Sequence, residues 1–569
     1  MDLERLLTDR LTPAFAAVAG EPVAPTVRRS LRADFQSDAA LALARRLGRP
    51  PREIAQAVLD RADLDDVAVA EVSGPGFVNL TLADGALAGM VAALAGDERL
   101  GVPVTSEPET VVVDYSGPNV AKEMHVGHLR STVIGDAAVR VLGWLGHRVV
   151  RVNHLGDWGT PFGMLIAHLV DLGESEAAQE LSIGDLDGFY RAARSKFDTD
   201  PAFRERARQR VVALQGGDPE TRRLWRLLVG QSQRYFLTVY ELLDVTLTGE
   251  DFRGESAYND RLGAVVTDLD RLGLLTDSAG ATCVFPPGFV GRDGVGLPLI
   301  VRKGDGGYGY PATDLAALRS RVDELGATRL LYVVGLPQRQ HFAMVFAVAG
   351  QAGWLRPPVR AEHLGFGSVL GPDGRMLRSR AGGSVKLVDL LTEAVTRATA
   401  LARARNPELD EAEAAEIGRA VGIGAVKYAD LATDRTRDYV LDWERMLALD
   451  GNTAPYLQYA YTRTRSVLRR AGAGPGSGVV LGTPAERALA VELLGFAGVV
   501  HEVAGTAQFH HLAGYLHRLA TRFSTFYERC PVLRAEGELR ASRLLLTDLT
   551  GRTLRQGLDL LGIRTLDRM

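Results

Sequence analysis

The chain reads as a multidomain α/β protein: a parallel-sheet core with a helical insertion, a small α+β domain before it and an all-α domain after it. Three observations predict this. The length of 569 residues allows about three or four domains at roughly 100–200 residues each. A strand-loop-helix-strand pattern begins at residue 110 and is complete by residue 153, which is the opening of a doubly wound sheet. From about residue 406 onward apolar residues recur at helical spacing and helices dominate.

Composition bounds the class. With 46% hydrophobic and 24% charged residues, the chain matches folded proteins and not disordered ones. Its two cysteines, Cys283 and Cys530, exclude a disulfide scaffold and a cysteine-rich zinc site, and they fit a reducing compartment. No unbroken apolar run approaches the ~18 residues of a membrane span, and the start Met1-Asp2-Leu3-Glu4-Arg5 lacks a signal-peptide core. A cytoplasmic protein without a membrane partner is expected. Of 66 basic residues only five are lysine, namely Lys122, Lys196, Lys303, Lys386 and Lys427. So strong a bias toward arginine reflects a GC-rich coding sequence, and it makes each surviving lysine more informative. Residues 451–569 hold 15 Arg, no Lys and 9 Asp+Glu, a net of +6 against −10 for the remainder. A basic module on an acidic body points to a polyanionic partner.

In chain order, residues 1–107 form the α+β domain, with helices at the start and over 39–47 and 51–62, and strands within 67–82 around Gly74-Pro75-Gly76. Residues 108–440 form the core domain. Its first strand covers 110–115, a Ser-Gly-Pro-Asn loop follows, then a helix over 125–145 and a strand over 149–153. The charged, helical stretch of about 165–297 reads as an insertion, after which strands resume at 299–302, 329–334 and 363–370. Residues 441–569 form the all-α domain.

The sharpest chemical feature is His125-Val126-Gly127-His128 at the start of the core helix. Histidines three apart share one helix face. The free N–H groups and dipole of a helix N-terminus favour phosphate, and imidazoles there can donate hydrogen bonds as charge builds in a transition state. Gly127 leaves room for an adenine ring to pack against backbone. Further along, Tyr310 and Asp314 stand four apart, on one face if that segment is helical.

These motifs carry a family resemblance. HxGH after a strand and loop resembles the class I aminoacyl-tRNA synthetases and related nucleotidyltransferases. The full string Ser116-Gly117-Pro118-Asn119-Val120-Ala121-Lys122-Glu123-Met124-His125-Val126-Gly127-His128 closely resembles the arginyl-tRNA synthetases, bacterial type. So do Asn153-His154-Leu155-Gly156-Asp157-Trp158-Gly159, Tyr310-Pro311-Ala312-Thr313-Asp314, Ala381-Gly382-Gly383-Ser384-Val385-Lys386-Leu387 and Asn452-Thr453-Ala454-Pro455-Tyr456. The likeness runs essentially the full length. It implies a Rossmann-like catalytic core and a helical anticodon-binding domain. It implies arginine–tRNA ligation, with arginine, ATP with Mg²⁺ and arginine tRNA as substrates. No protein-bound metal is expected, and a monomer is.

The resemblance also assigns residues. Asp114, Ser116, Asn119, His154, Tyr310, Asp314 and Gln338 would line the arginine pocket, and a planar, permanently charged guanidinium calls for carboxylates there. Where Asp114 stands the family more often has Glu. ATP would meet His125, Gly127 and His128, the strand-end residues Gly365, Phe366 and Gly367, and Met376. The family's mobile Lys-Met-Ser-Lys-Ser loop corresponds to residues 371–383, which contain no lysine but do contain Arg378 and Arg380. One branch of the family compensates with a lysine just before HxGH, and Lys122 occupies that place. For tRNA the resemblance points to Phe77 and Asn79 near the outer corner of the molecule, where stacking plus an amide suits an unpaired base. It points to Tyr459, Arg463, Tyr527 and Met569 at the anticodon loop. Two other readings stay open at this stage: a different HxGH enzyme, or a tRNA-binding paralogue without catalysis.

Overall fold

The computed structural model describes residues 3–159, 161–173, 186–304, 306–377, 384–472, 474 and 476–569. Arg378 and Arg380 lie outside the described residues. The chain divides into two compact units, Thr105–Met446 and a second built from Met1–Val104 with Leu447–Met569.

The first unit is organised on a four-stranded parallel sheet in the order Arg360–His363, Arg329–Tyr332, Thr110–Asp114, Arg148–Val152. Val111, Val112 and Val113 are at most 1% exposed. An unbroken β-branched run suits a strand covered on both faces, as parallel strands are. Helix Val126–Trp144 makes the crossover between Thr110–Asp114 and Arg148–Val152. From Asp114 the chain thus reaches a neighbour strand on one side, and only later, through Arg329–Tyr332, the neighbour on the other. That reversal opens a crevice beyond the strands' carboxyl ends.

Helices Pro161–Leu172, Leu186–Thr199, Pro201–Gly216 and Pro219–Leu242 follow the second strand. Three of the four begin with proline, whose fixed φ and missing N–H suit a first helical turn. Residues 299–302, expected in the core sheet, instead join an antiparallel three-stranded sheet with Leu275–Ser278 and Ala281–Val284. The physical reason is visible in burial: Leu299 and Val301 are buried while Ile300 and Arg302 are exposed. Such alternation fits a strand with one wet face and not a sheet buried on both sides. Likewise the expected strand over 363–370 is two pieces, Arg360–His363 in the core and Val369–Leu370 paired with Tyr439–Val440.

A buried ion pair ties the crossover helix to helix Glu411–Leu431: Arg130 Nε donates to Asp430 Oδ2 at 3.1 Å, the two side chains being 1% and 0% exposed. Arg130 Nη1 also donates to the Arg437 carbonyl at 2.7 Å.

In the second unit, strands Val27–Arg29, Phe35–Ser37, Phe77–Leu82 and Ala68–Ser73 form an antiparallel sheet in that order. Helices Leu3–Ala19, Ala39–Leu47 and Pro51–Leu59 belong to the same segment. The turn anticipated at 74–76 joins the last two strands in register Ser73↔Phe77. Gly76 sits at φ +143°, and a Cβ there would come within 2.7 Å of Pro51, so only glycine fits. The carboxyl-terminal segment contributes the long helices Ala454–Ala471, His510–Arg529 and Gly537–Leu560, with Pro484–Leu493 and Phe496–Thr506 between. Residues 484–506 are long and apolar enough by composition to cross a membrane, and 56% of their most apolar stretch is buried in the protein. Ions bind the two segments together. Arg487 bridges Asp34 at 2.7 Å and Asp84 at 2.8 Å, and Arg29 meets Glu492 at 3.1 Å.

The Arg130–Asp430 pair gives a stability prediction. Asp430→Ala should destabilise the first unit by about 3–5 kcal/mol, because it strands a buried guanidinium. The double replacement Arg130→Met with Asp430→Leu should recover most of that loss. Urea denaturation followed by tryptophan fluorescence checks both.

Candidate active site

The site begins at the end of strand Thr110–Asp114. Ser116 and Gly117 have φ of 72° and 56°, which turns the chain sharply toward the crossover helix. A hydrogen-bond network holds this turn. Gly117 N–H donates to Asn153 Oδ1 (2.9 Å), and Asn153 Nδ2 donates to the Tyr240 hydroxyl (2.8 Å). That hydroxyl meets Ser116 Oγ at 2.8 Å, and Thr132 Oγ1 donates to the same Ser116 oxygen at 3.0 Å. Asn119 is paired in backbone register with Gly156, where a Cβ would overlap the Asn119 side chain.

The HxGH helix is capped by its own histidines. Gly127 N–H donates to His125 Nδ1 at 3.0 Å, and His125 N–H donates to His128 Nδ1 at 3.1 Å. Each Nδ1 therefore accepts, which makes both rings neutral and puts their one proton on Nε2. Burial agrees with this: it is the main cause that holds His128 down at about 3, with the neighbouring His125 adding to it, and it lowers His125 as well. The product is two Nε2–H donors beside a helix N-terminus, without ring charge. Gly127 has a cause beyond room for a ligand, since a Cβ would lie 2.7 Å from His125 Cε1.

Outside the sheet's carboxyl edge lies a cavity of about 500 Å³. All seven residues expected to hold arginine line it: Asp114, Ser116, Asn119, His154, Tyr310, Asp314 and Gln338. Gly127, His128 and Phe366 line it too. Tyr310 and Asp314 open helix Tyr310–Asp323. Their partner is His341, which the sequence reading missed: its Nε2 lies 2.6 Å from Asp314 Oδ2, and its ring centroid lies 4.8 Å from that of Tyr310.

Two further residues were missed. Arg321 is 2% exposed, and its Nη2 lies 2.7 Å from Asp114 Oδ2. The Asp114 carboxylate thus already carries an internal guanidinium. Glu255, in a short 3-10 turn, lines the cavity with no cationic partner among the described residues. Burial, then the charges of Asp314 and Asp157, push its carboxyl up to about 7. Only helical spacing from Asp314 pointed toward Arg321, and nothing local marked Glu255.

The other expected ATP residues, His125, Gly365, Gly367 and Met376, do not line the cavity. Gly365 accepts a hydrogen bond from Arg435 Nη1 at 2.8 Å. A Cβ on Gly367 would meet the Arg437 backbone at 2.7 Å, so this strand end admits only glycine. Met376 is 57% exposed and faces Leu370 across a backbone bridge. The Lys122 ammonium lies over the Tyr190 ring, 4.4 Å from its centroid. Among the described residues no group of three or more His, Cys, Asp or Glu could hold a metal ion.

The expected tRNA residues divide. The Arg463 guanidinium lies over the Tyr459 and Tyr527 rings at 4.8 and 5.3 Å from their centroids, and both tyrosines are exposed. Phe77 is half-buried at a strand end. Asn79 is buried, with its Oδ1 accepting from Gln36 Nε2 at 2.7 Å and its Nδ2 donating to Glu71 at 3.4 Å. Met569, the last residue, is half-buried.

Three family profiles match the chain. Residues 1–82 match "Arginyl tRNA synthetase N terminal domain", residues 90–443 match "tRNA synthetases class I (R), catalytic domain", and residues 457–569 match "DALR anticodon binding domain". The arginine–tRNA ligase of Thermobifida fusca is 53% identical over the full length of both chains, and that of Hahella chejuensis is 48% identical over the full length of both. The crystal structure of the Plasmodium falciparum arginyl-tRNA synthetase superposes with a TM-score of 0.88 at 27% identity, covering all of both chains. The Thermus thermophilus arginyl-tRNA synthetase gives 0.84, also at 27% identity and full coverage. A class I catalytic core flanked by these two domains, on a crevice lined by Tyr310, Asp314 and the HxGH helix, places the chain in the arginyl-tRNA synthetase family.

Proposed function

We propose that this chain is an arginine–tRNA ligase that works in two steps in the crevice at the HxGH helix. The observation that carries this reading is one cavity joining the Asp314 and Glu255 carboxylates to the HxGH helix terminus. In the first step an arginine carboxylate oxygen attacks the α-phosphorus of ATP, and pyrophosphate leaves with the bond's electron pair. In the second, the 2′-hydroxyl of the tRNA's terminal adenosine attacks the arginyl-adenylate carbonyl, and AMP leaves.

Asp314, oriented by His341, and Glu255 meet the substrate guanidinium, and Tyr310 closes over it. Ser116, Asn119, His154 and Gln338 orient the rest of the amino acid. Asp114 is already paired with Arg321, so it serves as a rigid, charge-balanced wall or accepts from the α-ammonium. The Nε2–H groups of His125 and His128 donate to phosphate oxygens as negative charge moves toward the leaving pyrophosphate. Lys122 leaves the Tyr190 ring to join them. Arg378 and Arg380 add charge, and Gly365, Phe366 and Gly367 flank the adenine with Met376. Mg²⁺ bound to the substrate ATP would supply charge neutralisation at the phosphates. The exposed Tyr459–Arg463–Tyr527 stack offers faces on which anticodon-loop bases can lie, Phe77 offers another in the amino-terminal domain, and Asn79 and Met569 support these surfaces. The family resemblance further implies that tRNA is bound before arginine is activated. The enzyme acts as a monomer in the cytoplasm.

Specificity follows from the carboxylates. Measured by ATP–pyrophosphate exchange with tRNA present, arginine should support exchange and lysine should fail, because a compact ammonium cannot engage the carboxylates as a planar guanidinium fork does. Asp314→Asn should raise KM for arginine about 30–150-fold, in line with losing ~2–3 kcal/mol from a charged contact, and leave KM for ATP within about twofold. Equal use of lysine and arginine by the wild type would end this reading.

Glu255 sets a pH dependence. Protonated below about 7, it is neutral and binds a guanidinium poorly. KM for arginine should therefore fall as pH rises from 6 to 8 across that value, and Glu255→Gln should remove the dependence. A raised carboxyl also means that the ligand-free protein loses stability as pH climbs from the ordinary glutamate range through 7. Arginine should restore that loss, which melting curves with and without arginine would show.

Lys122→Ala should lower the exchange kcat by roughly 10²–10³, as for loss of a transition-state donor, with little change in KM for ATP. A variant with near wild-type kcat would remove Lys122 from the mechanism.

A further inference from the structure

Two of the five lysines stand near the start of the HxGH helix, Lys122 in the loop before it and Lys386 on the segment bridged to His125, and the mechanism above uses only Lys122. The other is Lys386. Its main chain runs antiparallel to His125: Val126 N–H donates to the Val385 carbonyl at 3.0 Å, and Leu387 N–H donates to the Met124 carbonyl at 2.8 Å. Its ammonium lies 2.7 Å from Glu123 Oε2, on a carboxylate side chain only 1% exposed.

The electrostatics around this pair are one-sided. Burial pushes the Glu123 carboxyl up, and the hydrogen bond and charge of Lys386 pull it back. Burial alone would lower Lys386, but Glu123, with Asp187 and Asp389 behind it, raises it instead. Glu123 N–H is meanwhile spent on Asp187 Oδ1 at 3.1 Å. Residue 123 is thus gripped by side chain and backbone, and residues 124 and 126 are gripped by the strand-like pairing. Between them stands His125, whose N–H is the donor to His128 Nδ1. Whatever fixes the main chain over 123–126 fixes both imidazoles.

We infer that Lys386 is a positioning residue for the reaction: its pair with Glu123 and its backbone contact hold the HxGH cap in register, aiming the two Nε2–H donors without touching substrate. This rests on the reading that those donors serve the phosphates of ATP. The lysine in the sequence after the lysine-free loop is then explained by where its chain crosses His125. A buried carboxylate deprived of its one ammonium takes up a proton or shifts to find another partner, and a shift of about 1 Å in catalytic geometry costs up to ~10² in rate.

The test uses the full-length enzyme in ATP–pyrophosphate exchange with tRNA present, comparing Lys386→Met, Lys386→Arg, Glu123→Gln, the Lys386→Met/Glu123→Gln double variant, and His128→Ala. Lys386→Met and Glu123→Gln should each lower kcat by about 10–100-fold, leaving KM for ATP and for arginine within about twofold. The double variant should be no worse than the poorer single, since both remove one interaction. Lys386→Arg, which keeps a cation opposite Glu123, should recover most of the rate. Full activity of Lys386→Met overturns the inference. So do additive losses in the double variant, and a Lys386→Met defect confined to KM for ATP, which would make the lysine a phosphate ligand. Unchanged exchange in His128→Ala would instead sink the reading of the imidazoles, and this inference with it. The two failures are therefore distinguishable.

Discussion

The reciprocal cap at the start of helix Val126–Trp144 is the constraint from which the site follows. A helix N-terminus leaves backbone N–H groups in need of acceptors, and here the acceptors are the rings of His125 and His128. Spending each Nδ1 on a backbone N–H fixes tautomer, ring orientation and charge together. The same arrangement dictates glycine at 127, because the His125 ring fills the space a Cβ would take. It also explains why so much of the unit converges on the preceding loop. Asn153 and Tyr240 hold one end of it, Ser232 accepts from Ala121 N–H in its middle at 2.9 Å, and Asp187 and Lys386 hold the end next to the helix.

Charge in the cavity is distributed to suit a cation that also carries a carboxylate. Asp114 is matched internally by Arg321, which rests on the Tyr332 ring at 5.0 Å. Asp314 leans on an imidazole. Glu255 is left without a counterion, and burial holds part of its population protonated near neutral pH. A buried carboxylate poised in this way favours a permanently charged guanidinium over a neutral side chain, since only the former stabilises the ionised form. The geometry is thus selective by electrostatics before any shape is considered.

Much of this was legible in the sequence, because local patterns carry local physics. The valine run, the turn residues and the HxGH pair gave the first strand, the loop and the helix start, and the four-residue spacing of Tyr310 and Asp314 anticipated their shared face. The family motifs brought together the seven residues that line the cavity. What escaped reading was tertiary. Glu255 sits in a short 3-10 turn with no motif around it, and its significance comes from neighbours far away in sequence. His341 and Arg321 matter only through the carboxylates they touch. The strand Leu299–Arg302 joins the antiparallel sheet and not the core one, because a run of three apolar residues does not say which partner it will take. That the first hundred residues share a compact unit with the last hundred rests on pairs such as Arg487–Asp34, which no local window contains.

The most direct test of this account is the tautomer of the HxGH histidines, read from ¹⁵N chemical shifts in protein labelled at histidine, with His125 and His128 assigned by single substitution. Both rings should be neutral Nε2–H tautomers at pH 7, and His128 should stay so well below pH 5, its burial holding it near 3. An imidazolium at either position at pH 7, or a proton on Nδ1, would contradict the reciprocal cap and the mechanism built on it.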